Sequence, residues 1–403
     1  MSEPTRRRVT LLRRMSGRDP DEEHRASTPL ELLFDLTFVI AVARAASGLK
    51  LALEQGHAGH ALVGYGIAFF GLWWAWVNFT WFASAYDTDD VPYRLLTLLQ
   101  MAGVLVYAAG LPAEFQHYDF RTVVVGYVIM RLALVTQWLR AAHSHPEGRP
   151  STLRYAAGVT VIQACWIGRL WLHGPLGMAA LVLLGLAELS VPAWAEFAGR
   201  RTPWHAGHIA ERYGDFTIIV LGEVVAAIAT AVDSVQSHSR ASPGLLTAAA
   251  AGLVLVFALW WAYFKHSAAE RIRASLSWTF VWAIGHYLIF AAVAALGAGL
   301  QVVVATLAHT TRVSPTFAAF TVAIPVAVYS VMLGLLTTRG SSERAALWLV
   351  LLAAALTLVA AAATAVLTLP VSIVIMALLA VLALAYHLAT APQAARQPGQ
   401  AAP

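Results

Sequence analysis

Two short words in this chain set carboxylates at matched positions on segments that read as helices. Glu31 to Ile40 (ELLFDLTFVI) and Glu211 to Val220 (ERYGDFTIIV) share the pattern Glu-x3-Asp-x-Thr: Glu31, Asp35 and Thr37 in the first, Glu211, Asp215 and Thr217 in the second. Residues four apart share a helix face, so each word offers a carboxylate pair, its aspartate ~6 Å further along the axis than its glutamate. His208 lies three residues before Glu211 and extends the second face to His208, Glu211 and Asp215. Two such faces meeting would gather four carboxylates, which is chemistry for a proton or a small cation. The competing role is capping, since acids at a helix start complement its dipole, and it explains the glutamates more readily than the aspartates.

A deeper set lies near the midplane: Arg44 in the first span, Arg131 in the fourth, Glu188 in the sixth and Glu223 in the seventh. Charges in a bilayer are costly and face one another or a wet cavity, so these four are expected to form either a buried network or a path for substrate or protons. Arg169 and Glu196 fall near segment ends, where long side chains reach the interface. A third group is the loop SAYDTDDVPYR, with Asp87, Asp89 and Asp90 followed by Arg94. Three carboxylates suit a hard cation such as Mg2+. Asp89 and Asp90 equally suit a helix cap ahead of Pro92. Trp73, Trp74, Trp76, Trp81 and Tyr86 crowd the preceding segment, as in an interfacial aromatic belt.

These residues need a membrane fold to position them. The 403 residues are 59% hydrophobic and 12% charged, with mean hydropathy +0.65, against about 25% charged in a soluble domain. Apolar runs of roughly 20 residues, each long enough to cross the ~30 Å hydrocarbon layer, separate the charged islands. The expected fold is all-α, a polytopic membrane protein of about twelve transmembrane helices. Of the 27 Lys and Arg, external loops keep only Lys50, Arg121, Arg240 and Arg312 if the N-terminus is inside. The positive-inside bias then predicts cytoplasmic N- and C-termini, and it accounts for the net charge of +5 without nucleic acid. The single cysteine, Cys165, excludes an intrachain disulfide. The first 25 residues are too charged for a cleaved signal peptide, and their arginines suit anionic lipid headgroups.

Trp73-Trp74-Ala75 and Trp260-Trp261-Ala262 follow the two words at similar distances, and Gln100 and His286 form a weaker matching pair. The chain therefore reads as two six-helix repeats entering the membrane in the same orientation, a parallel repeat. The expected organisation is a basic cytoplasmic segment over 1–29, a first repeat over 30–200, a second over 201–389, and a disordered tail over 390–403. The last three spans are almost pure Ala, Leu, Val and Thr and read as scaffold packed through small residues.

The segments LELLFDLTFVIAV, WWAWVNFTWFASAYDTDD with RLLTLLQMAGVLV, and HIAERYGDFTIIVLGEVVAAI resemble the bacterial low-temperature-requirement A (LtrA) family. The resemblance covers most of the first nine spans. It implies a multi-pass protein of the bacterial inner membrane, named for a growth phenotype in the cold, and carries no biochemical activity. Val224 follows Glu223 where the family commonly has Ser. A fainter similarity links Glu31, Asp35, Phe38 and Ile40 to the endosomal potassium-channel family with a Phe-Ser-Asp first-helix motif. Phe34 and Gly214 stand where that motif has its Ser, so the same gate is not expected.

Three functions follow as expectations. The leading one is a transporter or channel for a small ion or solute, acting through the carboxylates of the first and seventh spans, with no cofactor. The second is an intramembrane enzyme on a lipid or prenyl-diphosphate substrate, with Mg2+ on Asp87, Asp89 and Asp90; it lacks a recognisable nucleophile. The third is a structural or sensory membrane protein needed in the cold. The expected partners are membrane lipids and the transported species; a homodimer is compatible with the sequence.

Overall fold

A computed structural model describes residues 11–23, 25–237, 243–266, 268–338 and 341–390. Arg6, Arg7, Arg8, Arg240 and the tail expected to be disordered, beyond its first residue, lie outside the described residues. Among them every regular element is helical. The helices are α1 (Pro29–Glu54), α2 (Ala58–Tyr86), α3 (Val91–His117), α4 (Arg121–Ser144), α5 (Arg149–Arg169), α6 (Gly174–Phe197), α7 (Ala206–Ser237), α8 (Pro243–Phe264), α9 (Ala269–Ala274), α10 (Leu276–Leu307), α11 (Pro315–Thr337), α12 (Ser341–Ala362) and α13 (Leu369–Thr390).

Ten of these are long and apolar enough to cross a membrane. The two further spans expected from the sequence, α5 and α7, have 21 and 32 residues, which suffices in length at ~1.5 Å per residue. Both carry polar and charged residues along their length. In α5, Ser151, Thr152, Gln163 and Arg169 are all buried, so the polarity is turned inward. Helix α6 does the opposite: Leu183 and Leu186 are exposed, as suits a helix facing lipid.

The chain divides into two compact units. One comprises 1–226 with 267–298, the other 227–266 with 299–403, a division that differs from the boundary at 200/201 suggested by the repeated words. The first unit holds every residue singled out above for chemistry except the Trp260-Trp261 word. Within it α3 and α4 pack at backbone contact: a Cβ on Gly103 would lie 2.9 Å from Gly126 O and 3.0 Å from Met130 N. Small residues let membrane helices approach this closely. In the second unit Tyr329 Oη donates to Leu259 O at 2.8 Å, tying α11 to α8. Trp260 and Trp261 there are exposed, whereas Trp73 and Trp74 are buried, so the two matching words serve different environments.

Local sequence explains the helix starts that matter. Thr28 and Glu31 form a capping box at the head of α1, with Pro29 in the first turn, which satisfies two orphan backbone donors. Asp90 caps α3 by accepting from Tyr93 N at 2.9 Å.

Candidate functional site

The segment before α1 is strapped beneath the first unit. Arg18 N donates to Ala85 O at 3.0 Å, Arg13 N to Asp90 Oδ2 at 2.9 Å, and Arg14 Nε to Ser144 O at 2.9 Å. Arg25 is buried and its guanidinium reaches Ala83 O and Ser84 O at the end of α2, of which Ala83 O also accepts the Asp87 N–H at 3.1 Å. The basic stretch, expected to meet lipid headgroups, thus spends several of its arginines on the protein itself.

From this strap the chain enters α1, which side-chain links join to α7. Ser27 joins them: its backbone N–H donates to Glu211 Oε1 at 3.1 Å and its hydroxyl to Asp215 Oδ2 at 2.8 Å. The two words therefore do meet, but not as four carboxylates around a cation. Asp35 is gripped at both oxygens by Arg212, at 2.6 and 2.7 Å, and accepts the Trp76 indole N–H at 2.8 Å. Asp35 is 1% exposed and Arg212 0%. Near the head of α1, Glu31 Oε1 lies 3.2 Å from His208 Nε2, both fully buried. This contact falls short of hydrogen-bond alignment, and neither His208 ring nitrogen has a hydrogen-bond partner, so it is an ion pair only when the imidazole carries a proton. Glu211 is exposed and Asp215 half-buried. Anion–cation pairing thus replaces the symmetric carboxylate cluster. A shell of rings closes over the pair: Trp76 stands 4.4 Å from Phe216 and 5.0 Å from Tyr213, and Phe34 stacks on Phe79 at 3.9 Å.

The deeper set divides. Glu188 of α6 is caged by Trp74 Nε1 at 2.8 Å, Tyr127 Oη at 3.0 Å, Trp166 Nε1 at 3.2 Å and Arg131 Nη2 at 3.4 Å. Arg131 also bonds the Tyr127 hydroxyl and lies over its ring, 4.5 Å from the centroid. This is a buried network, as one of the two expectations had it. Arg44 is exposed and takes no part, because its position on α1 turns away from α4 and α6. Glu223 is buried but makes no hydrogen bond or ion pair among the described residues, so it does not join the network either.

The acidic loop also comes apart as a cluster. Asp90 caps α3 and accepts from Arg140 Nη2 at 2.7 Å. Asp89 holds Arg94 in a bidentate pair at 2.8 and 3.0 Å. Asp87 Oδ1 accepts from Asp89 N at 3.0 Å. Each carboxylate is turned to a different partner, and among the described residues no group of three or more His, Cys, Asp or Glu is placed to hold a metal. Instead of facing a common centre, the carboxylates of Asp89 and Asp90 cap and brace α3. Burial, with the nearby Glu31 charge, pushes the Asp87 carboxyl up to about 6. For Asp90 burial works the other way from its neighbours, and the Arg13 and Tyr93 N–H groups with Arg140 hold its carboxyl below the usual range.

Arg212, Tyr127 and Trp166 are not marked by the sequence, and Trp76 is marked there only as part of an aromatic belt. A signal for Arg212 existed, since it is the lone cation inside the second word, at the position Leu32 takes in the first. Nothing marked Glu114, whose two carboxylate oxygens are buried in α3 without hydrogen-bond partners.

Long apolar helices carrying inward-facing ion pairs define a multi-pass membrane protein. Residues 26–385 match the model of the family described as Bacterial low temperature requirement A protein (LtrA), and the chain belongs to that family. It is also similar to an uncharacterized protein of Rhizobium meliloti (strain 1021), 30% identical over 261 residues, 62% of this chain and 60% of the relative. The aligned part thus spans about 60% of that relative's length. No solved structure matches.

Proposed function

We propose that this protein moves a small ion or solute across the bacterial cytoplasmic membrane, with the charge pairs between α1 and α7 as its moving joint. The observation that supports the reading is the Asp35–Arg212 pair, bidentate, fully buried and flanked by Glu31–His208 on the same two helices. Removing two charges from water costs about as much as their attraction returns, and apolar residues of the same shape often stabilise better. A seam held by such a pair, beside a Glu31–His208 contact that becomes ionic only when His208 is protonated, is near balance, so a proton or ion that neutralises one partner shifts it. Asp35 and Glu31 act here as latches rather than as an open cation site.

Purified protein in proteoliposomes tests this under proton and monovalent-cation gradients. The wild type should show a flux that Asp35→Asn and Arg212→Gln each abolish. Absence of flux under every gradient, or flux equal to wild type in the double variant, would sink the proposal. A structural role is the second reading, supported by the near-complete burial of all four charged residues; it expects the variants to change stability and no flux at all. An enzymatic role loses support because Asp89 and Asp90 are already committed to Arg94, Arg140 and the α3 cap.

A further inference from the structure

The largest basic concavity of the first unit lies under the bundle, at the end where α4 meets α5 and α6 meets α7. It encloses about 670 Å3. Its walls come from four places: the strap at Gly17–Asp21, the α4–α5 connection, the α6–α7 connection and the short helix α9. Arg18, Arg200, Arg201 and Arg273 line it together with His145, against a single acid, Asp21. The positive-inside tendency explains why arginines lie on this side. It does not explain why four of them, from segments far apart in sequence, converge on one cavity.

Two of the four are already partly neutralised. Arg18 pairs with Glu22 at 2.7 Å and Arg200 with Glu147 at 2.7 Å. Arg201 and Arg273 are exposed and form no ion pair among the described residues. The cavity also receives the starts of two long helices. Ala206, the first residue of α7, lines it, as does Gly148, which precedes α5, and helix starts turn a positive dipole end to anions, although the His208 N–H at the α7 start is already taken by His205 Nδ1. The walls are closely fitted: a Cβ on Gly17 would lie 2.8 Å from the Pro203 ring and 2.9 Å from His145. The size falls within the range of ligand sites, about 300–1,000 Å3.

We propose that this cavity binds a phosphate-bearing anion with at least two negative charges, held chiefly by Arg201 and Arg273. Planar guanidinium forks match phosphate oxygens in pairs, and carboxylate partners are too few to neutralise the site. The phosphate can come from a soluble phosphate ester or diphosphate, or from the headgroup of an anionic lipid.

The test uses full-length protein in detergent without added lipid, titrated with inorganic pyrophosphate at constant ionic strength by calorimetry. Saturable binding is expected, with sulfate and chloride at least tenfold weaker. Arg201→Gln and Arg273→Gln should each weaken pyrophosphate about tenfold, and the double variant should abolish it. Both positions are exposed, and unchanged melting of each variant shows that the fold persists. Arg121→Gln, at the opposite end of α4 from the cavity, should leave binding unchanged. Repeating the titration in nanodiscs separates the sources: phosphatidic acid displaces pyrophosphate if the ligand is a lipid headgroup, and it has no effect if the ligand is soluble. Either result upholds the site. Undetectable pyrophosphate binding by wild type, or equal affinity in wild type and the double variant, overturns it. The outcome does not depend on whether the protein transports anything.

Discussion

Replacing Arg212 with Met tests whether the α1–α7 seam is a true buried ion pair. The side chain is fully buried, and its loss strips Asp35 of two charge-assisted hydrogen bonds at 2.6 and 2.7 Å, leaving it only the Trp76 indole at 2.8 Å. Breaking one partner of a buried pair costs about 3–5 kcal/mol, because the other charge stays buried and uncompensated. Asp35→Leu should cost a similar ~3–5 kcal/mol by stranding Arg212. The double variant removes both charges and should lie within about 2 kcal/mol of wild type, the remainder being the unpaired Trp76 N–H. The four proteins form a double-mutant cycle, read by reversible denaturant unfolding in mixed micelles. A double variant as unstable as the sum of the singles would refute the pairing argument, and so would an Arg212→Met protein within about 1 kcal/mol of wild type.

Three further outcomes follow from the same geometry. Glu188→Leu should destabilise by about 3–5 kcal/mol by orphaning Arg131 in its cage, and tryptophan emission should shift as Trp74 and Trp166 lose their acceptor; unchanged emission would count against the cage. Gly126→Ala should cost about 1–3 kcal/mol or more, since its Cβ would lie 2.7 Å from Gly103 O and force α3 from α4, whereas a Cβ at the unobstructed Gly222 meets nothing within 4 Å, so Gly222→Ala should be tolerated. Asp87, pushed up to about 6 by burial from an ordinary 3.8, binds more protons folded than unfolded between those values. Wild type should therefore lose stability as pH rises from about 4 to about 6, by at most ~3 kcal/mol, and Asp87→Asn should flatten that limb of the unfolding profile.

Much of the architecture was legible because membrane insertion depends on composition. A helix that crosses hydrocarbon satisfies its own backbone, so apolar runs marked about twelve spans, ten of which are helices long and apolar enough to cross, and the Asp89-Asp90 word marked the start of α3. The same local rule explains why Asp89 and Asp90 of the α2–α3 loop carried two readings: cap and cation ligand use identical residues, and only the neighbours choose. Asp90 caps because Tyr93 N, Arg13 N and Arg140 are all there to meet it.

Partner choice was not legible, and it decides what the charged words do. Sequence alone determined that Glu31, Asp35, Glu211 and Asp215 sit at the starts of two membrane helices, and that a mechanism or a compensation had to exist for them. Only the tertiary structure decided that Arg212 and His208 answer the first pair while Ser27 bridges the second. It likewise decided that Arg131 and Glu188 find each other while Arg44 turns outward. Spacing fixes which side chains share a helix face, a property of one helix. Pairing depends on the rotation and depth of a second helix, set by packing contacts such as Gly103 against Gly126 and Trp76 against Phe216 that no local pattern encodes.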